Sequence, residues 1–512
     1  MKILLAGPGT GKTTRIKDLI AQWDNAKQCL VLSFTNATVN DLLKNLSGEG
    51  VSQDNCMTLH KFAIKYNHDN SRHILLPNEI AILEQTAKQT GQDFLNLCNQ
   101  LSATTFDQMI SRFVEFASAN ELYLRQKLSG FKYLIVDEYQ DFNPNEQALI
   151  DLLVSNFEEI IILGDDDQCI YDFKDASSKK IIEFYNDITV GRIDHEHKCH
   201  RCPDEVVEHA TNLIKNNKNR IDKQWHKSGK KGNLIYLQQQ SLDDAADYVL
   251  HNVKRIASHD PEAAILILAP VKFAIDPIAE KLTAEGIDFE NKNKPQIDSE
   301  LVEKSWEIKA CFGSFKYLNL LFLGYKKMAQ RKRLYDTLKL QLATGLNFED
   351  LFNTVSNKLP AEVLAQHSDA VQMMSLGKYE RVKKLFDEVA EGTTDEKLEK
   401  IFHNREEDAG KKIKLMSIHK SKGLGSEYVF VVGLTEGILP NKKAGSDSIE
   451  AQRRLFYVGI TRAKKCLCLI SILKIPGKFV NKINKADFKY DYSNRLWNGK
   501  ASRYISELKL KK

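Results

Sequence analysis

The sequence predicts an α/β fold with parallel sheets, organised as two strand-rich regions. Three observations carry this. Short apolar runs recur at residues 3–5, 29–33, 133–136, 160–163, 264–268, 428–432 and 466–470. Several are bounded by turn residues and followed by amphipathic stretches, the pattern of βα units whose strands are covered on both faces. The runs form two clusters, residues 1–200 and 201–475, and between their motifs lie helix-rich stretches at 62–130 and 300–410 without strand signals. An example is 347–356 followed by 361–374. These stretches read as helical insertions into two α/β domains.

The first run leads into Gly7-Pro8-Gly9-Thr10-Gly11-Lys12-Thr13, a phosphate loop of the GxxxxGK[ST] kind. A strand before it and a helical run after it are the context this motif needs. The glycines let successive backbone N–H groups turn inward onto phosphate oxygens at a positive helix end. Lys12 then reaches the β- and γ-phosphates, and Thr13 ligates Mg²⁺. The run 133–136 ends in Asp137 and Glu138. Asp137 can hold Mg²⁺ through its water shell, and Glu138 can orient and deprotonate an attacking water.

Composition sets the class. The 512 residues carry 73 Lys plus Arg against 68 Asp plus Glu, a formal net charge of +5. Hydrophobic residues make up 42% and charged residues 28%, ordinary globular usage that excludes a wholly disordered chain. The length suggests about three or four domains. No apolar run approaches the roughly 18 residues of a membrane span, and the first apolar stretch is too short for a secretory signal. Nine Cys, an odd number, point to free thiols in a reducing cytoplasm. The net charge permits a local basic groove but does not demand one.

Further motifs then follow in a recognisable order. They are Ser33-Phe34-Thr35-Asn36, Thr58-Leu59-His60, Asp137-Glu138-Tyr139-Gln140-Asp141, and Gly164-Asp165-Asp166-Asp167-Gln168-Cys169-Ile170-Tyr171. After these come His200-Arg201-Cys202-Pro203, residues 415–424 (LMSIHKSKGL), residues 452–463 (QRRLFYVGITRA) and residues 502–508 (SRYISEL). Together they resemble the superfamily 1 helicases of the UvrD/Rep/PcrA type, over nearly the whole chain. The resemblance implies two RecA-like P-loop NTPase domains with parallel sheets, each carrying a reduced helical insertion. The expected boundaries are 1–61 with 131–200 and 201–299 with 411–512 for the RecA-like domains, and 62–130 and 300–410 for the insertions.

The same resemblance implies the site. ATP and Mg²⁺ are the expected cofactors. Gly7 through Thr14 and His200 would hold the nucleotide, with Thr13 and Asp137 at the metal. Glu138, Gln168, Arg201 and Arg462 would act on the γ-phosphate. Phe34, Thr35, Asn36, Thr58, His60, Tyr171, Phe173 and His419 would meet DNA. Taken alone, Phe34 reads equally as a core residue, and His60 and His419 read nearly as well as structural histidines.

Departures from the family shape the expectation. The glutamine motif that reads adenine ahead of the phosphate loop is not seen. His200 stands where the family has Tyr, Thr14 where it has Arg, and Gly425 where it has Glu. These predict looser nucleotide selectivity. His195, His197, Cys199, His200 and Cys202 lie close together, but zinc needs four tetrahedral ligands and no second pair is nearby, so zinc is not expected. Two readings stay open at this point. One is an ATP-driven 3′→5′ translocase and helicase acting on single-stranded and 3′-tailed duplex DNA in the cytoplasm. The other is an ATP-sensing subunit that controls a nuclease or repair partner, as in the compact helicase-like subunits of Gabija-type anti-phage systems.

Overall fold

The computed structural model describes residues 1–292 and 410–510, apart from positions 47, 49, 69–71, 76–79, 81–82, 85–86, 88–92, 101–102, 194–196, 224, 442–446 and 483–484. The expected insertion at 300–410 therefore lies outside the described residues, save its last position. The chain divides into two compact units, Met1–Tyr66 with Ile110–Asn293 and Ala409–Lys512, and Asn67–Met109 with Lys294–Asp408.

The first unit holds two six-stranded sheets, each wholly parallel. The first is built from β1 (Lys2–Leu5), β2 (Cys29–Ser33), β3 (Cys56–Thr58), β6 (Tyr133–Val136), β7 (Glu159–Gly164) and β8 (Gly191–Arg192), in the order β3-β2-β6-β7-β1-β8. The second unit's described part includes β4 (His73–Ile74) paired in parallel with β5 (Ala103–Thr104), a small strand pair within a stretch read from sequence as helix-rich and without strand signals. The second large sheet uses β9 (Asn233–Gln239), β10 (Ile265–Ala269), β11 (Glu290–Asn291), β12 (Ile413–Ser417), β13 (Ser426–Val432) and β14 (Ala463–Ile472), in the order β11-β12-β10-β13-β14-β9. A three-stranded antiparallel sheet closes the chain, β15 (Lys474–Pro476), β16 (Lys489–Asp491) and β17 (Leu496–Asn498), with β17 central.

Six of the seven apolar runs lie within strands of the two large sheets, and the run 264–268 begins one residue before β10. The central strands read as unbroken apolar runs because each face has its own core. Leu266 and Leu268 of β10, Val429 and Val431 of β13, and Leu467 and Leu469 of β14 share one core. Ile265, Ile267, Phe430, Val432, Cys468 and Ile470 face another. That is the period of two expected of a strand buried on both sides. The strands that sequence did not show are mostly short or at edges. β9 is the longest of them; it is an edge strand whose residues are at most half-buried, and its four-residue apolar run Leu234–Leu237 was not singled out from sequence.

Parallel pairing brings the carboxyl ends of β1, β6 and β7 together. Register pairs Leu5 with Gly164, and Val136 with Ile162. In open α/β sheets this edge is where ligands bind.

Candidate active site

The phosphate loop follows β1. Ala6, not a glycine, occupies the first place of the strict GxxxxGK[ST] pattern, and it is buried at the strand end. Thr10 donates its hydroxyl to Gly7 O (3.0 Å) and closes the loop. Gly9 has φ +71°, and a Cβ there would lie 2.4 Å from Arg201 Cβ, so both backbone conformation and space demand glycine. At Gly7 an added Cβ would meet the Trp225 ring at 2.2 Å. Gly11 caps the helix Lys12–Ile20 at φ 81° and offers no side-chain cap, which leaves the first helical N–H groups without a side-chain acceptor.

Lys12 turns back onto the end of β6. Its ammonium lies 2.8 Å from Asp137 Oδ1 and contacts Glu138 Oε1. Burial works to lower the Lys12 pKa, but the two carboxylates outweigh it and hold the group above its ordinary value. Asp137 Oδ1 makes no hydrogen bond of acceptable geometry despite that contact, and burial raises its carboxyl against the pull of Lys12. Glu138 sits at φ 57°, a left-handed conformation that costs a non-glycine residue about 1–3 kcal/mol. Burial would raise its carboxyl, yet Lys12 and then Lys422 bring it below the usual range. It stays ionised.

Gln140 locks this strand end to the next. Its amide donates to Glu138 Oε2 (2.6 Å), and its carbonyl accepts from Asp165 N (3.0 Å). Gly164 is required here, since a Cβ would lie 2.4 Å from Gln140 Oε1. Lys422, just before β13, reaches Asp141 Oδ2, donates to Gln168 O (2.6 Å) and lies 3.6 Å from Glu138 Oε2. Burial pushes the Asp141 carboxyl up to about 7 against the pull of Lys422.

The expected γ-phosphate group converges. Gln168 donates to Asp165 Oδ2 (2.8 Å) and accepts from Arg462 Nη2 (3.4 Å). Arg462 is 1% exposed and also donates to Val458 O, Leu424 O and Thr461 Oγ1. Burial, then the nearby Arg201 charge, lower Arg462 to about 9. Arg201 Nη1 is buried without a hydrogen-bond partner. The flanking residues pin this segment to the phosphate loop. His200 N donates to Gly9 O (2.8 Å), and the Cys199 thiol donates to Pro8 O (3.1 Å). The Cys202 thiol donates to Thr461 O (3.3 Å). The His200 side chain is exposed, as is Thr14, while Thr13 is partly buried. His195 lies outside the described residues.

Among the expected DNA contacts, Phe34 and Tyr171 come together, ring centroids 5.0 Å apart. Lys174 Nζ lies 5.6 Å from the Phe34 ring and 5.9 Å from that of Tyr171. His419 is 6.4 Å from Tyr171, and burial lowers it to about 4, so it is neutral at pH 7. Lys422 lies 5.7 Å from the Tyr171 ring and thereby joins this aromatic pair to the carboxylates. Thr35 bonds with Thr38 at the start of the helix Asn36–Leu46, where Asn36 is exposed. Thr58 Oγ1 accepts Lys61 N (3.2 Å), a cap for the helix Leu59–Tyr66. His60 Nε2 lies 3.3 Å from Glu146 Oε1. Phe173 lies in the turn Asp172–Lys174.

Lys422, Gln140 and Trp225 were not singled out from sequence. The signal for Lys422 lay in His419-Lys420-Ser421-Lys422, but only the fold distinguishes its two lysines. Lys420 donates to Lys292 O at the surface, whereas Lys422 turns inward.

Residues 324–474 match the UvrD-like helicase C-terminal domain family, and residues 1–174 match an AAA domain family. The chain is 22% identical to the ATP-dependent DNA helicase PcrA of Leuconostoc citreum, over 91% of this chain and 79% of that protein. It is 23% identical to the ATP-dependent DNA helicase Rep of Buchnera aphidicola subsp. Acyrthosiphon pisum, over 88% of this chain and 82% of the relative. A probable DNA helicase II homolog of Rickettsia felis is 23% identical over 94% and 93%. Among the described residues no helix is long and apolar enough to cross a membrane.

Proposed function

The chain belongs to the UvrD/Rep/PcrA-type superfamily 1 helicases, and from that premise we propose that it is an ATP-dependent DNA helicase that moves 3′→5′ on single-stranded DNA. The observation that carries this reading is the arginine pair against the phosphate loop. Among the described residues neither Arg201 nor Arg462 forms an ion pair with a carboxylate, Arg201 Nη1 is buried without a hydrogen-bond partner, and burial and the Arg201 charge disfavour the charged form of Arg462. A polyanion at Gly9 and Lys12 would offer both a partner. The transferred phosphoryl group is such an anion, and guanidinium groups stabilise the charge that spreads over its oxygens.

The rest of the site supplies the other parts. Bound phosphates draw Lys12 away from Glu138, whose carboxylate then regains basicity and orients the attacking water. Thr13 and the Asp137 carboxylate, which Lys12 pairs here at 2.8 Å, are oxygen donors that suit a hard cation, so these two would hold Mg²⁺, which would neutralise phosphate charge when bound. Lys422 feels the change at Glu138 and sits beside Tyr171, which offers a route from hydrolysis to the Phe34–Tyr171 pair. Bases stack on such aromatic faces with little sequence preference.

Strand displacement by the isolated chain tests this. A 3′-tailed duplex should be opened with ATP, a 5′-tailed one should not, and single-stranded DNA should stimulate hydrolysis. If single strands bind without stimulating hydrolysis, the motor reading fails and control of a partner by ATP takes its place.

A further inference from the structure

We propose that the antiparallel sheet β15–β17 is a second nucleic-acid contact, gripping a single strand between exposed tyrosines and unpaired cations. This rests on the reading of the chain as a DNA motor, and it concerns a surface apart from the Phe34–Tyr171 pair.

Charge singles the segment out. Residues 473–500 contain seven Lys or Arg and two Asp, a surplus equal to the formal net charge of +5 on the whole chain, so the remainder is neutral. A locally basic surface on a near-neutral protein is the footprint expected of a polyanion site. The two acids are turned to internal work. Asp491 accepts from Ser493 N (3.0 Å) and Asn494 N (3.2 Å) and shapes the turn between β16 and β17. Asp487 acts on the Arg503 guanidinium. Lys478, Lys489, Arg495 and Lys500 are exposed, and none has a carboxylate partner among the described residues.

Register places the aromatics. Tyr490 pairs with Trp497, and Trp497 with Ile475, so the three share one face. Ile475 is fully buried and Trp497 packs against the core beneath. Tyr490 extends that row to the free edge, 5.0 Å from Trp497, and meets Tyr492 edge to face at 4.9 Å. Tyr492 is 86% exposed. Lys489, Asn498 and Lys474 form the rung on the opposite face. Within seven residues the edge thus presents Lys489, Tyr490, Tyr492 and Arg495. Aromatic faces between cations suit stacked bases and their phosphates. Charge complementarity favours a nucleic acid over a neutral protein surface.

The test is fluorescence anisotropy with a mixed-sequence single-stranded oligonucleotide at two salt concentrations. It compares wild type, Tyr490→Ser/Tyr492→Ser, Lys489→Gln/Arg495→Gln, and Phe34→Ala. Each sheet variant should weaken binding about tenfold, and the charge variant should flatten the dependence of log affinity on log salt by about one to two. In the two sheet variants hydrolysis of ATP without DNA should equal wild type, which reports an intact fold. Affinity within twofold of wild type in both sheet variants, with an unchanged salt slope, overturns the inference. If Phe34→Ala alone is weak, this inference fails and the motor reading stands. A wild type that binds no single strand overturns both. Loss of binding to anionic lipid vesicles with DNA affinity intact would assign the sheet to a lipid surface and also overturn it.

Discussion

Two buried ionic clusters stand at neighbouring strand ends of the first sheet, and they are completed differently. At the end of β6, Asp137, Glu138 and Asp141 face Lys12 and Lys422. Beyond β7, Asp165, Asp166 and Asp167 lie close enough together to suggest a metal site. That second cluster is already filled by protein. Lys223 touches all three acids, at 3.1 Å from Asp165 and 3.0 Å from Asp167. Arg220 grips Asp167 with two hydrogen bonds of 3.0 and 2.8 Å. Ile221 N donates to Asp166 (2.9 Å), and Gln168 donates to Asp165. Every carboxylate oxygen has a partner. In the first cluster Asp137 Oδ1 has the Lys12 ion pair at 2.8 Å, Asp141 Oδ1 has no hydrogen bond, and Arg201 Nη1 has none either. The Lys12 side chain is 19% exposed against 2% for Lys223. Three adjacent acids therefore mark a brace, whereas the cluster with loose ends is the one equipped for a ligand. Buried polar groups left unsatisfied are costly, and their persistence at one place points to function.

The comparison breaks most sharply on Lys12. Lys12→Ala should lower ATP hydrolysis by about 10³-fold or more, as expected when a charge on the transferred phosphoryl group is removed. Glu138→Gln should still bind ATP but hydrolyse it about 10²–10⁴ times more slowly. Steady-state kinetics with a nucleotide-binding assay checks both, and wild-type turnover in Glu138→Gln would remove its assigned role.

Lys223→Met should do the reverse. It strands three buried acids, which should cost about 3–5 kcal/mol of stability, read as a fall in the urea midpoint. Lys12→Ala should move that midpoint less, because Lys12 is partly solvated. Equal losses in the two variants would end the distinction between brace and site.

Gly164→Ala probes the seam between the clusters. The added methyl meets Gln140 Oε1 and Ile181 Cδ1, both at 2.4 Å. Overpacking of this kind costs about 1–3 kcal/mol. Hydrolysis should fall too, since Gln140 holds Glu138. Unchanged hydrolysis alongside lost stability would show that Gln140 does not position the carboxylate.

The smallest effect is a slope. Asp141 has its carboxyl raised from 3.8 to about 7, mainly by burial. Between these values the folded chain keeps a proton that the unfolded chain has released. Its contribution to stability is therefore largest at low pH and declines as pH rises through that window, by at most about 1.4 kcal/mol per pH unit. Asp141→Asn should remove this decline, seen as a flatter plot of stability against pH from about 4 to 7. Parallel plots for wild type and variant would mean that Lys422 keeps Asp141 ionised throughout.

Sequence by itself determined the strand cores and the expectation of a phosphate site. Both depend on local pattern. A strand buried on two faces must be apolar throughout, as at 29–33 and 466–470, and a phosphate loop must place its glycines and Lys12 consecutively. The motif order likewise singled out Glu138, Gln168, Arg201 and Arg462 as candidates. Tertiary structure alone decided which charges pair. Nothing local tells Lys422 from Lys420, or reveals that Lys223 fills the Asp165–Asp167 cluster, 57 residues along the chain from Asp166. Nor does the sequence near Gly7 announce Trp225. These partners come from distant segments, so only folding sets their distances. Coulomb and desolvation energies both depend on those distances and on burial, and neither can be read along a chain.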